Sequence, residues 1–261
     1  MPVNWMDVSG LSFNSLLLLE RVQISWFPGW VPEERLAVAL GANPAVEWFL
    51  RHKCPEAQSW LDSVMSMRPA QTSSEEVVAA ELVIMRKIID LLVYVVDPAV
   101  YDAQPFLGWD SRELTSLVDF AGKTVLDIGA GTGRLALVAA EKAAAVFAVE
   151  PVANLRAYLR AKSQSLGFAN VYTADGLVTQ IPFPDAFADV VMGGHVFGDE
   201  PEREYRELAR AAKPGGMVIL CPGNRDEDNG RHRFLLAQGF QWARFEEPRD
   251  GMHRKYWKAK S

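Results

Sequence analysis

The stretch Thr124-Val125-Leu126-Asp127-Ile128-Gly129-Ala130-Gly131-Thr132-Gly133-Arg134 decides how this chain of 261 residues is organised. Val125 to Ile128, apolar except for Asp127, reads as a buried strand that runs straight into glycines on alternate positions. An apolar, helix-forming segment, Leu135 to Ala145, follows at once. Strand, tight glycine turn and helix together bring backbone N–H groups against a small anionic or polar ligand at a helix N-terminus. The spacing is informative. Gly129, Gly131 and Gly133 form G-x-G-x-G, whereas the dinucleotide fingerprint sets its third glycine one position later, where Arg134 stands. Taken alone, the triplet also suits a strand-to-helix turn that holds no ligand.

Downstream, strand and helix patterns alternate, the signature of a parallel sheet covered on both faces. The predicted strands are Thr124–Ile128, Ala145–Glu150, Val171–Thr173, Ala188–Met192 and Met217–Cys221. The predicted helices are Gly133–Glu141, Val152–Leu166 and Glu202–Ala212. Phe240–Glu246 and Arg254–Lys260 read as a closing pair of strands around the turn Pro248-Arg249-Asp250-Gly251. Arg225 to Arg231 reads as a solvated polar loop.

Upstream, residues 1–70 read as a helical subdomain of short helices divided by Pro and Gly. Pro32 and Pro44 stand at helix starts and Gly41 at a helix end. Five of the eight tryptophans fall there (Trp5, Trp26, Trp30, Trp48 and Trp60) and are expected to build its core. Residues 71–110 read as a linker helix with a lid segment. Ser73 and Glu76 form a capping box, and one long helix is expected to run to Asp97-Pro98. Tyr94, Tyr101, Phe106 and Trp109 are candidates for a lid or for packing of the linker. The catalytic part is expected over 111–261.

Hydrophobic content of 49%, charged content of 23% and a net charge of −6 describe an ordinary globular chain without a field that favours DNA or anionic membrane. The charge is uneven: residues 1–110 carry 14 acidic and 7 basic side chains. Cys54 and Cys221 are too few and too isolated for a disulfide framework or a zinc cluster, and His52 beside Cys54 lacks a second pair. No metal is expected. The run Leu16 to Leu19 ends at Glu20-Arg21, well short of a membrane span. A cytoplasmic location is the expectation, and a homodimer is compatible with these properties.

Glu150 ends an apolar strand, 17 positions after Gly133. Asp175-Gly176 follows the third strand, Ile181-Pro182-Phe183-Pro184-Asp185 leads to the fourth, and Lys213-Pro214-Gly215-Gly216 introduces the fifth. In this order and spacing, residues 120–222 resemble the class I S-adenosylmethionine-dependent methyltransferases, with a flavour of the small-molecule, ubiquinone-biosynthesis-like subgroup. The resemblance implies an α/β fold: a doubly wound, mostly parallel seven-stranded Rossmann-like sheet with a helical N-terminal extension. It implies S-adenosylmethionine as cofactor and S-adenosylhomocysteine as product. Asp127 would meet the ammonium group, and Gly129, Ala130, Gly131 and Gly133 would face the tail and the ribose. Glu150 would take the ribose hydroxyls, Pro151 would lie beside the adenine, and Asp175 and Gly176 would meet its edge.

The fourth strand ends in Met192-Gly193-Gly194-His195, where the sulfonium and the acceptor should meet. Gly193 would border the cofactor, the glycine pair suggests room for a substrate, and His195 is the candidate general base. The Asn/Asp-Pro-Pro-aromatic signature of amino-directed nucleic-acid and protein-glutamine methyltransferases is lacking, so the expected acceptor is a small molecule. A protein or RNA acceptor, a SAM-binding protein without transferase activity, and a nicotinamide dehydrogenase are the rival readings. The closing cations Arg249, Arg254, Lys255, Lys258 and Lys260 read as a solvated strand rather than an RNA patch.

Overall fold

β1 (Thr124–Ile128) lies at the middle of a sheet in the computed structural model, which describes residues 5–260. β2 (Ala145–Val149) and β3 (Val171–Ala174) extend it on one side, both parallel. On the other side stand β4 (Ala188–Gly193) and β5 (Ala212–Arg225), parallel, then β7 (Gly251–Ala259), antiparallel, and β6 (Gln241–Glu247) at the edge. The order β3-β2-β1-β4-β5-β7-β6 changes direction between β1 and β4. That switch point opens a crevice at the carboxyl ends of the strands, where doubly wound sheets take their ligands.

The helices of this unit are α8 (Arg112–Thr115), α9 (Arg134–Ala140), α10 (Ala153–Ser165), α11 (Pro201–Ala211) and α12 (Gly230–Ala237). Two apolar layers form on the two faces of the sheet. One joins Leu135, Ala139 and Leu159 to Val125, Val146 and Val190; the other joins Leu208 and Leu235 to Leu126, Val191 and Leu220.

The chain divides into two compact units between Tyr101 and Asp102. The first holds α1 (Arg21–Ser25), α2 (Glu33–Ala42), α3 (Pro44–Lys53), α4 (Gln58–Ser66), α5 (Ser74–Lys87) and α6 (Ile89–Val96), with α7 (Pro98–Asp102) at its end. Ser73 and Glu76 do form the capping box, at 3.2 and 2.8 Å. The single long helix does not form: Ile88 leaves helical geometry (φ −104°, ψ 22°) and divides α5 from α6. The tryptophans border this core rather than fill it: Trp5, Trp30 and Trp60 are half-buried, with Trp60 edge-on to the buried Phe27. Trp26 and Trp48 are exposed, while Leu16, Ile24, Phe27, Leu36, Leu61 and Ile84 are buried. Gln23 is buried among them and is satisfied by donating to the Leu91 carbonyl oxygen and accepting from the Glu20 N–H.

Three further differences concern the second unit. β5 is longer than Met217–Cys221 because the Pro-Gly-Gly segment is itself paired: Gly215 donates to Lys260 and Lys260 to Gly216. Arg225 to Arg231 is only half loop, for Asn229 accepts from the His232 N–H and caps α12. Four of the five closing cations are engaged internally, while Arg249 is exposed. Buried Arg254 pairs with Asp226 and Asp228, Lys255 with Glu113, Lys258 donates to Tyr205 and Gln238, and Lys260 to Ala212.

Leu159 of α10 lies directly against Gly133, where a Cβ would stand 2.2 Å from its Cδ1. Truncating this wholly buried side chain, Leu159→Ala, is expected to destabilise the unit by about 2–5 kcal/mol, read as a lower urea midpoint.

Candidate functional site

Gly129, Gly131 and Gly133 all take left-handed backbone conformations, with φ of 67°, 54° and 91°. Only glycine adopts these without strain, so the alternate spacing is a requirement of the turn itself. The turn is anchored on β2, since Gly129 and Ala130 both donate to the Val149 carbonyl oxygen at 2.7 and 3.1 Å. It delivers the chain into α9 directly, Gly133 being the residue before the helix.

Glu150 closes the turn from below. One carboxylate oxygen accepts from the Gly131 N–H and the other from the Val152 N–H, each at 2.9 Å. The group is almost fully buried, and that burial raises its pKa above the ordinary value, with the two amides and Arg156 working against the rise. Arg156 is a residue the sequence did not single out. Its guanidinium donates to the Glu150 carbonyl oxygen at 2.6 Å and pairs with the Asp175 carboxylate at 3.1 Å, joining the ends of β2 and β3. Asp175 itself is mostly exposed. Gly176 is required by packing, because a Cβ there would stand 2.6 Å from Pro182 and 2.8 Å from Val149. Pro151 continues the chain from Glu150 toward α10 at intermediate exposure.

Asp127 lies at the heart of the site and is wholly buried. Neither oxygen closes a hydrogen bond of normal geometry. Burial pushes its pKa up to about 8, the nearby Glu150 charge adds to the rise, and the Ala136 amide offsets it only in part. Partnerless buried side-chain atoms are few in folded proteins. Among the described residues they are the two Asp127 oxygens, Thr132 Oγ1, Arg134 Nε and Glu247 Oε2. Four of these five belong to the strand end, the glycine turn and the first residue of α9. Arg134 is held over the Trp109 ring, 4.4 Å from its centroid, and donates to the Trp109 carbonyl oxygen.

The Gly193-Gly194 pair does not leave room for a substrate, contrary to the expectation. A Cβ on Gly193 would stand 2.6 Å from Val196 Cγ2 and 2.9 Å from the Ile128 carbonyl oxygen, and one on Gly194 would crowd Leu135 and Pro222. The glycines allow close packing. Val196 also covers Gly129, its Cγ1 2.1 Å from where a Cβ would be. His195, one residue earlier, has φ 56°, unusual for a side chain with a Cβ, and is held by donating its N–H to the Pro222 carbonyl oxygen at 2.8 Å. Its exposed imidazole places Nε2 2.9 Å from Glu247 Oε1 on β6 and faces Phe106, ring centroids 6.1 Å apart. Of the aromatics before β1, Tyr94 and Tyr101 cluster with Trp5, Phe106 faces His195, and Trp109 is buried against Phe245. A cleft of about 380 Å³ lies beside the glycine turn, lined by Asp102, Gln104, Pro105, Leu107, Arg134 and Lys162.

Residues 126–220 match the family profile described as a methyltransferase domain. That stretch is a methyltransferase domain. An uncharacterized methyltransferase of Mycobacterium tuberculosis is 33% identical over 120 residues, covering 46% of this chain and 47% of that protein. The demethylmenaquinone methyltransferase of Thermus thermophilus is 33% identical over 120 residues, covering 44% and 53%. The chain spans about half the length of the curated relatives it matches. A SAM-dependent methyltransferase from Aquifex aeolicus superposes with a TM-score of 0.50 at 20% identity over 63% of this chain and 99% of that one, a likeness of fold. The methyltransferase domain therefore has the doubly wound, Rossmann-like α/β architecture, with a helical unit before it in the chain. No helix among the described residues is long and apolar enough to cross a membrane.

The folded domain holds the Asp127 and Glu150 protons more tightly than the unfolded chain does. Asp127 therefore favours folding fully below its ordinary value of 3.8, and that contribution is lost as the pH rises through about 8, while Glu150 acts in the same direction. Asp127→Asn is expected to flatten the decline of the urea midpoint between those limits, measured side by side with the parent protein.

Proposed function

We propose that the methyltransferase domain binds S-adenosylmethionine at the switch point of its sheet and transfers the methyl group to a small molecule. The observation that carries this reading is the gathering of buried, unpartnered polar atoms around a left-handed glycine turn. Such atoms carry a cost of about 1–3 kcal/mol each unless something hydrogen-bonds to them, and an amino-acid tail with both charges supplies the donors and acceptors they lack.

In this reading Asp127 holds the ammonium group, directly or through a water, and Gly129, Ala130, Gly131 and Gly133 face the tail and the ribose. Glu150 turns an acceptor oxygen from the Gly131 amide to the ribose hydroxyls. Pro151 flanks the adenine, Asp175 accepts from its amino group, Gly176 offers a backbone N–H, and Gly193 borders the sulfur. When bound, S-adenosylmethionine supplies an electrophilic methyl group and its own thioether leaving group. The chain's own task is then to hold an acceptor in line, exclude water and take up a proton where the acceptor carries one. His195 is suited to the last step: Glu247 Oε1 accepts from its Nε2–H, which leaves the Nδ1 lone pair to receive the proton. Val196, seated over Gly129 and Gly193, yields as the cofactor enters.

A small acceptor is supported by the likeness to the Thermus thermophilus demethylmenaquinone methyltransferase. It is supported too by the engagement of Arg254, Lys255, Lys258 and Lys260 within the fold, which leaves those cations unavailable to RNA. A cytoplasmic setting belongs to the proposal and rests on two buried cysteines that form no disulfide.

Incubation with methyl-labelled S-adenosylmethionine and separated cell fractions is expected to label the small-molecule fraction. Label confined to protein or RNA, or tight binding with no product, would replace the proposal by one of its rivals. Gly131→Val and Glu150→Ala are each expected to weaken cofactor binding severely in calorimetry while circular dichroism stays native; parent-like affinity in both removes the site assignment. Because Asp127 is largely protonated at neutral pH, its meeting with an ammonium group should release up to one proton at pH 7. Calorimetry in buffers of different ionisation enthalpy reads that release, which Asp127→Asn should abolish.

A further inference from the structure

Glu247 is the last residue of β6, has no exposed surface, and has no lysine or arginine bonded to it. A buried carboxylate without a full counter-charge is costly to hold. Its nearest partners are two imidazoles that arrive from other elements: His195 from the loop after β4 and His253 from β7. His195 Nε2 stands 2.9 Å from Oε1 and His253 Nδ1 3.4 Å from Oε2. Even so, no hydrogen bond satisfies Oε2, which remains a buried atom without a partner. The ligand atoms of all three residues lie within 4.8 Å of one another.

We propose that His195, Glu247 and His253 bind one divalent transition-metal cation of the zinc type. Two imidazole nitrogens and one carboxylate oxygen form the donor set of open zinc sites and of related first-row metals. Ligands about 2.1 Å from a tetrahedral ion stand about 3.4 Å from one another, the size of the separations seen here. Calcium and magnesium, which take oxygen ligands, do not suit this donor set.

The surroundings fit the assignment. The Asp250 carboxylate lies 3.4 Å from His253 Nε2, where it would accept that nitrogen's proton once Nδ1 takes the ion. The Nδ1 contact to the Gly251 carbonyl oxygen, at 3.2 Å, is given up on loading. Glu247 and His253 are buried while His195 is 40% exposed, so one side of the ion is open to water or to an acceptor. Glu247 and Asp250 bring two carboxylates to the cluster, the second also paired with Arg225 at 3.2 Å through its other oxygen. The His52–Cys54 pair takes no part.

This site goes beyond the methyl-transfer reading, and the ion binds whether or not that reading holds. With the ion on Nε2, His195 keeps its proton on Nδ1, and activation of an acceptor oxygen passes from the imidazole to the cation.

The test is titration of chelator-treated full-length protein with cobalt(II), a coloured substitute for zinc, in the absence of any cofactor. Expected are one equivalent bound, visible d–d bands of a nitrogen- and oxygen-liganded ion, and loss of those bands when zinc is added. His253→Ala and Glu247→Gln should each weaken binding at least 10-fold, and Asp250→Asn by about 10-fold, whereas His52→Ala should leave it unchanged. Failure of the parent protein to bind a stoichiometric ion overturns the proposal, and so does binding that survives both ligand substitutions in variants with native circular dichroism. A loss on His52→Ala places the ion elsewhere and overturns it as well.

Discussion

Three left-handed backbone conformations within five residues, at Gly129, Gly131 and Gly133, set the carboxyl edge of this sheet. Each brings a different element into contact. Gly129 lets Val196 from the loop after β4 descend onto the turn, Gly131 aims its N–H at Glu150, and Gly133 admits Leu159 of α10. A side chain at any of the three meets a strained φ, and at Gly129 and Gly133 an occupied space as well. The ends of β1, β2 and β4 and the face of α10 are therefore positioned by one turn. Displacing it moves all of them together.

Rigidity of this kind allows the interior to carry polar groups that a purely structural core would reject. Asp127 is enclosed with its carboxyl pushed toward neutrality, and burial raises the Glu150 carboxyl too, against the opposing pull of two backbone amides and Arg156. His195 holds a left-handed φ under the restraint of the Pro222 carbonyl oxygen. Local strain and unmet hydrogen bonds persist where the surrounding structure over-determines them, and such places cluster at functional sites. Here they gather at one edge of one sheet.

The parts of this fold that depend on neighbours in sequence are legible in the residue order. β1 stands at Thr124–Ile128 as its apolar run requires, and α9, α10 and α11 begin and end within a residue or so of the patterns that mark them. The parts that depend on distant neighbours are not. Ile88 interrupts a helix where no Gly or Pro announces it, and β5 extends across Pro214-Gly215-Gly216 because β7 pairs with that segment. Gly193-Gly194 looks like open space in sequence and proves to be close packing against Ile128 and Leu135. At the site, Asp127, Glu150 and the glycines could be placed from local spacing. Glu247 and His253 could not, since they stand 52 and 58 positions beyond His195 and meet it only once the hairpin of β6 and β7 is formed. Asn229 did carry a signal, its capping side chain, that a reading of the loop as merely polar passes over.

The strand order has a consequence for how this domain is made. β6 precedes β7 in the chain, yet β7 lies between β5 and β6. While a ribosome is still extending the polypeptide, β5 therefore waits with a bare row of amides and carbonyls along a stretch rich in Val, Ile and Leu. Exposed edges of that composition invite pairing with other nascent chains. Lys255 deepens the dependence, for it reaches Glu113, 142 positions earlier, and its arrival adds a late tie between the segment before β1 and the finished sheet. Synthesis that stalls before Gly251 leaves a nearly complete domain whose growing edge is an adhesive one, a natural client for holding chaperones.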